Sequence, residues 1–282
     1  MTTRIAIPNK GRMKEPCIEL LKSAGIKPKV YDEKALFAKT TRDDVEVLFV
    51  RVEDIPQFVE DDVADLGMVG QDIIAEKGAK VKEITGLGFG NCSLVLAGKK
   101  NGSDSVSKIP NGARVATKFV KSAKKYFGEK GKEVEIIELS GAVEIAPVIG
   151  IADYIVDLSS SGSTLKSHGL VVMDTILESE FALISKPGAK SEAIDDLLLG
   201  IESVTSADKK KYLMVNLPEG KLSELESSEK GALSPTVTKL DKEGWISVQM
   251  VVEEKKIFSF IKSLKKLGGR DILVLPIERL VK

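Results

Sequence analysis

Residues 153–165 read Asp-Tyr-Ile-Val-Asp-Leu-Ser-Ser-Ser-Gly-Ser-Thr-Leu. An apolar strand carries two acids, Asp153 and Asp157, and runs into a cluster of hydroxyls around one glycine: Ser159, Ser160, Ser161, Gly162, Ser163 and Thr164. A short helix then starts and stops near Gly169. Backbone N–H groups at a helix start, surrounded by hydroxyls, form an anion site that needs no lysine. The acids would repel a phosphate, so they must face something else, and ribose hydroxyls donate well to carboxylates. Acid followed by hydroxyl loop therefore reads as a phosphoribosyl site. A serine-capped polar turn uses the same residue types. Two acids four residues apart, bracketed by apolar residues in a buried-type strand, favour the site over the turn.

Two other strand-to-loop edges carry chemistry. Asn9-Lys10-Gly11-Arg12 follows the apolar strand Arg4–Pro8 and precedes a helical pattern, the place where open α/β sheets bind ligands. Lys10 and Arg12 suit a polyphosphate, with Gly11 letting the backbone approach; a charged helix-start loop is the plainer alternative. Gly70-Gln71-Asp72 ends the apolar run Asp65–Val69, with Asp72 either at the rim of a site or capping the helix that follows. Other phosphate signatures are missing. Residues 86–91 begin like a dinucleotide fingerprint and fail at Asn91, and no G-x-x-x-x-G-K-[ST] occurs. The single histidine, His168, falls where caps and surface residues are usual, and Lys118, Lys121, Lys124 and Lys125 read as a solvated helix face.

The elements needed to position these loops alternate. Strands are expected at Arg4–Pro8, Val45–Val52, Asp65–Val69, Cys92–Ala97, Ala113–Ala116, Val134–Leu139, Asp153–Leu158 and Leu170–Met173. Helices are expected between them, including Thr117–Phe127 and Ala142–Ile149. Such alternation implies α/β layers with largely parallel sheets. Around Gly86–Asn91 and Met173–Ser185 the pattern turns irregular, as if the chain crosses between two lobes. Ser191–Lys211 reads as one long helix, with a joint expected at Ser206–Lys211. Beyond it the order is βαββαβ, the ferredoxin-like plan.

Composition sets the outer bounds. The chain has 282 residues, 43% hydrophobic and 30% charged, a prior of two domains and neither a disordered nor a membrane class. No apolar run approaches the roughly 18 residues of a membrane span, and the first residues lack a signal-peptide core; a cytoplasmic location is expected. Lys+Arg and Asp+Glu balance at 42 each, so no global basic field draws nucleic acid. Cys17 and Cys92 are too few for a disulfide framework or a thiolate zinc site. Three Gln and five Asn beside abundant Lys and Glu are the composition expected of a hyperthermophile.

Taken together, residues 4–12, 64–72 and 141–165 resemble the ATP phosphoribosyltransferase family, which begins histidine biosynthesis; the hydroxyl loop is its signature. Leu233-Ser234-Pro235-Thr236-Val237 and Gly244-Trp245 are similar to its regulatory domain, so the resemblance spans the chain and points to the long form. It implies two type II periplasmic-binding-protein-like α/β lobes, residues 1–90 with 180–210 and residues 91–179. A ferredoxin-like regulatory domain would follow at 211–282. It implies the substrates ATP and phosphoribosyl pyrophosphate (PRPP), Mg²⁺, inhibition by histidine, and a homo-oligomer, dimer or hexamer, with no nucleic-acid or membrane partner. Residues 159–164 would bind the 5′-phosphate, Asp157 and Asp153 the ribose, and Glu144 the ribose or metal. Lys10, Gly11, Arg12 and Arg51 would face the polyphosphates, and Gly70, Gln71 and Asp72 would line the cleft. Ser234 and Thr236 would contribute to a histidine site. No residue is expected as acid or base, and beyond Glu144 the metal ligands are left open. Two other readings remain at this stage: a two-lobed solute binder without chemistry, and a phosphoribosyltransferase acting on a different base.

Overall fold

The computed structural model describes residues 2–29, 35–99, 105–228 and 235–281, and the chain forms two compact units, residues 1–195 and 196–282. The first unit opens with β1 (Thr3–Pro8), α1 (Lys14–Ser23), β2 (Phe37–Lys39), β3 (Val45–Val50), α2 (Ile55–Glu60), β4 (Leu66–Gly70), α3 (Gln71–Lys77) and β5 (Lys82–Gly86). A second lobe follows with β6 (Cys92–Lys99), β7 (Ala113–Thr117), α4 (Val120–Glu129), β8 (Val134–Glu138), β9 (Tyr154–Ser159), α5 (Ser163–Ser167) and β10 (Leu170–Ser179). The chain then returns through β11 (Phe181–Ser185).

Two sheets result, ordered β2-β3-β1-β4-β11-β5 and β10-β6-β9-β7-β8. In the first, β1 lies parallel to β3 and β4, and the returning β11 inserts antiparallel between β4 and β5. This is the two-lobed α/β arrangement that the resemblance implies. Strand β4 is buried at every position, as a strand covered on both faces must be. Gly67 there has a packing reason: a Cβ would lie 2.7 Å from Ile55 Cγ2 and 2.9 Å from Val59 Cγ2 on α2. In the second lobe, Leu94, Leu96, Val115, Phe127 and Val156 form one core cluster, and Val95, Ala97, Ala116, Ile155 and Leu165 form another. Alternating residues of the same strands supply the two clusters, which is the period of two.

Helix α6 (Glu192–Asp208) contains the division between units, and its residues 196–208 group with the C-terminal part. The Leu280 N–H donates to Ser203 O at 2.8 Å, tying the chain end to this helix. Next come β12 (Lys210–Pro218), α7 (Leu222–Ser228), β13 (Thr236–Lys239), β14 (Trp245–Glu253), α8 (Ile257–Lys266) and β15 (Arg270–Pro276). Their sheet order is β13-β14-β12-β15, antiparallel throughout, the ferredoxin-like βαββαβ plan. Leu213, Val215, Ile246, Val248, Phe260 and Leu264 are its core.

The sheets are mixed rather than largely parallel, because β11 returns from the second lobe to pair antiparallel with β4 and β5, and β6 pairs antiparallel with β9 and β10. Two local expectations are also corrected. Residues 142–149 form no helix, only a 3₁₀ turn at Val143–Ile145, because Pro147 lacks the N–H that an α-helix interior requires. The strand expected to stop at Met173 runs on to Ser179, so β10 and β11 fill residues 173–185 on either side of the lobe crossing at Glu180 that the irregular pattern indicated. Their alternation is hidden in the sequence because β10 shifts register at Val172/Asp174 and Thr175/Leu177, and each bulge resets the period.

Candidate functional site

Between the two lobes of the first unit lies a cleft of about 1270 Å³. Strand β9 ends at its wall. Asp157 and Leu158 lead into Ser159–Thr164, and every residue of that run lines the cleft. Gly162 has φ +71°, a left-handed conformation suited to glycine, and its N–H donates to Ser159 Oγ at 3.0 Å. The Ser161 and Ser163 hydroxyls meet at 2.9 Å. The loop is therefore wound around its own hydroxyls, and the amides of Thr164 and Leu165 fall in the first turn of α5, where no intrahelical acceptor exists.

Asp157 is half-buried, and its Oδ1 accepts the Leu158 N–H at 2.8 Å. Burial raises its pKa above the ordinary carboxylate value; the Leu158 amide and Lys118 oppose the shift, and Glu144 adds to it. A desolvated carboxylate beside a hydroxyl-rich loop is equipped to accept hydrogen bonds from a sugar. Glu144, on the 3₁₀ turn after Ala142, also lines the cleft.

The facing lobe contributes the loop after β1. Lys10, Gly11 and Arg12 line the cleft, with both cations exposed. Gly11 has φ +84° and open space where a Cβ would stand, so the backbone conformation alone calls for glycine. Asp72, at the start of α3, is buried on the same wall. Its Oδ1 accepts the Ser179 hydroxyl at 2.7 Å, while the Asp72 N–H donates to Ser179 Oγ at 3.0 Å. Gly70 leaves room for this carboxylate: a Cβ there would fall 2.2 Å from Asp72 Oδ1.

Four expected residues do not reach the cleft wall. Asp153 precedes β9, at the opposite end of the strand from the loop, and its carboxylate pairs with Arg114 at 3.0 Å. Four residues of strand span about 13 Å, so the two acids cannot share one ribose. Arg51 is exposed and off the wall, although Val52 and Glu53 are on it. Gly70 is interior, and Gln71 is spent on Glu83, at 2.8 Å, and on the Glu180 N–H. Thr236 starts β13 in the other unit and is exposed, while Ser234 lies outside the described residues. His168 ends α5 with Nδ1 2.9 Å from Thr164 O, a local contact rather than a cleft one.

Glu76, Lys77 and Phe119, which no motif singles out, also line the cleft, as do Lys118 and Lys121. Lys118 and Lys121 belong to the basic stretch expected as a solvated face. Only their position at the entry to α4 could have set them apart, since Lys124 and Lys125 lie farther along the helix.

Comparison with known proteins bears on the whole chain. The sequence model of the family described as ATP phosphoribosyltransferase matches residues 51–203, and that of the HisG C-terminal domain matches residues 207–279. The ATP phosphoribosyltransferase of Methanothermobacter thermautotrophicus is 43% identical over 286 residues, covering 100% of both chains. That of Methanocaldococcus jannaschii is 44% identical, covering 98% of this chain and 99% of its own. Among solved structures, the ATP phosphoribosyl transferase (HisG:HisZ) complex from Thermotoga maritima is similar at a TM-score of 0.62 and 30% identity, over 71% of this chain and 99% of that one.

Proposed function

Since the chain belongs to the ATP phosphoribosyltransferase family of histidine biosynthesis, we propose that its cleft transfers the phosphoribosyl group of PRPP to N1 of ATP. The observation that carries this reading is one cleft lined on one lobe by Asp157 and the Ser159–Thr164 loop, and on the other by Lys10 and Arg12. The loop takes the 5′-phosphate, and Asp157 takes the ribose hydroxyls. Lys10 and Arg12, with Lys118 opposite, take the polyphosphate charge.

In the reaction the bond from the anomeric carbon to pyrophosphate breaks, and its electron pair leaves with the diphosphate. The N1 lone pair forms the new bond. N1 carries no proton, so the step needs no general base, and a chain with one histidine off the cleft meets no obstacle. What the residues must supply is orientation of two polyanions and stabilisation of the leaving charge. Among the described residues no three His, Cys, Asp or Glu side chains gather to hold a metal ion. Asp157 and Glu144 on the cleft wall suit an Mg²⁺ carried on substrate oxygens and completed by one or two carboxylates. Bound in that way, Mg²⁺ would neutralise charge on the departing diphosphate.

We further propose that the βαββαβ region senses histidine, with Thr236 and Ser234 contributing hydroxyls, and that the chain assembles as a homo-oligomer. Histidine would favour an arrangement that binds substrate less well, a coupling of typically about 1–3 kcal/mol. Titrating full-length protein with histidine, with turnover and sedimentation followed together, tests this. Activity indifferent to millimolar histidine refutes it. The transfer itself is tested with ATP, PRPP, Mg²⁺ and pyrophosphatase by following the ultraviolet absorbance of the product. Folded protein that gives no change refutes the reading.

A further inference from the structure

Helix α4 starts without a cap of its own: Phe119 at its N-cap makes no side-chain capping bond. The N–H groups of its first turn have no intrahelical acceptor, and the other lobe supplies one. Glu76, on α3, accepts the Lys121 N–H at 2.9 Å through Oε1. Through Oε2 it accepts the Ser122 N–H at 3.0 Å and the Ser122 hydroxyl at 2.8 Å. The exchange is mutual, because Lys121 Nζ donates to the carbonyl oxygen of Lys77, the last residue of α3, at 2.8 Å. A carboxylate sits at the positive end of one helix and an ammonium at the negative end of the other, the favourable sense at both. Glu76, Lys77 and Lys121 all line the cleft, so these four bonds join its two walls.

We propose that Glu76 is a positioning residue for the cleft, a latch from the first lobe that caps α4 of the second and sets how far the walls can part. The chain connecting the lobes does not fix that distance by itself. It crosses twice, at residues 86–92 and 179–181, and the first crossing contains Gly88 and Gly90 at φ +78° and +74°. The four bonds, together with the buried Asp72–Ser179 pair between α3 and β10, are contacts available to hold the walls at one separation. The inference concerns opening and not chemistry, so it stands or falls apart from the transfer reaction.

The protein contains its own reporter. Cys92 is half-buried on the cleft wall, whereas Cys17 is fully buried on the inner face of α1. An aromatic disulfide reagent that releases a coloured thiolate reads the accessibility of Cys92, and silence of Cys17 certifies the fold. In full-length protein without substrates, Glu76→Ala should raise the rate at Cys92 roughly tenfold, with one thiol titrating per chain. Glu76→Gln should fall between that variant and wild type, because an amide oxygen keeps part of the cap. Ser122→Ala, which loses one hydroxyl bond, should raise the rate about two- to threefold. An unchanged rate in Glu76→Ala with one thiol titrating overturns the proposal. If Glu76→Ala exposes both thiols, Ser122→Ala decides: a raised rate with one thiol supports the latch, and an unchanged rate overturns it.

Discussion

Asp157→Asn separates binding from stability at one atom. Asparagine keeps the shape of the side chain and an oxygen for the Leu158 amide, which donates at 2.8 Å, and removes the charge. A charge-assisted hydrogen bond to ribose is worth about 1.5–3 kcal/mol, so kcat/KM for PRPP should fall roughly ten- to 150-fold. Stability should move the other way. Burial raises the Asp157 pKa, so in the folded protein the neutral form is favoured relative to the unfolded chain. That contribution is fully present below the unfolded pKa of about 3.9, and it is lost as pH rises through the raised folded value. The wild type should therefore lose stability relative to Asp157→Asn between about pH 4 and pH 7, and the variant should melt higher at neutral pH. Thermal melts at the two pH values, with initial rates at limiting PRPP, measure both halves. A variant with wild-type kcat/KM, or a melting difference that does not grow with pH, refutes the assignment of Asp157 as a desolvated ribose acceptor.

Lys10→Ala and Arg12→Ala should raise KM for PRPP or ATP while changing stability by under about 0.5 kcal/mol, since both side chains are exposed; unchanged KM values for both substrates would remove the loop from the site. Asp153→Ala and His168→Gln should leave kcat/KM for PRPP within about twofold, because neither residue reaches the cleft wall; a hundredfold loss from either would contradict the geometry. Gly67→Ala should destabilise the first lobe by about 1–3 kcal/mol in denaturant unfolding, because its Cβ would meet Ile55 and Val59 under 3.0 Å.

The parts that local pattern determines were legible in the sequence. Strand β4, apolar at every position, and the 2-to-3.6 alternation along the last 70 residues announce their elements directly. Strand β5, Lys-Glu-Ile-Thr-Gly, is polar at its start and borders the sheet edge, so it carries too little apolar signal to stand out. Strand β10 hides behind its bulges, and a spacing of four in residues 153–157 looked like a pair of acids until the strand separated them. In the site, the hydroxyl loop was readable because one contiguous segment supplies backbone and side chains together. Glu76, Lys118 and Lys121 were not, because their roles depend on helices from two lobes meeting. No local period encodes that meeting.

If N1 of ATP is the nucleophile in this cleft, as proposed, replacing that one atom abolishes the transfer. Pyrophosphate release from PRPP is compared with ATP and with 1-deaza-ATP, in which carbon stands where N1 was, at equal concentration and with Mg²⁺. Release is expected with ATP, and with the 1-deaza analogue only the background seen without nucleotide, even though that analogue competes with ATP for binding. Release at the same rate with both nucleotides would contradict it.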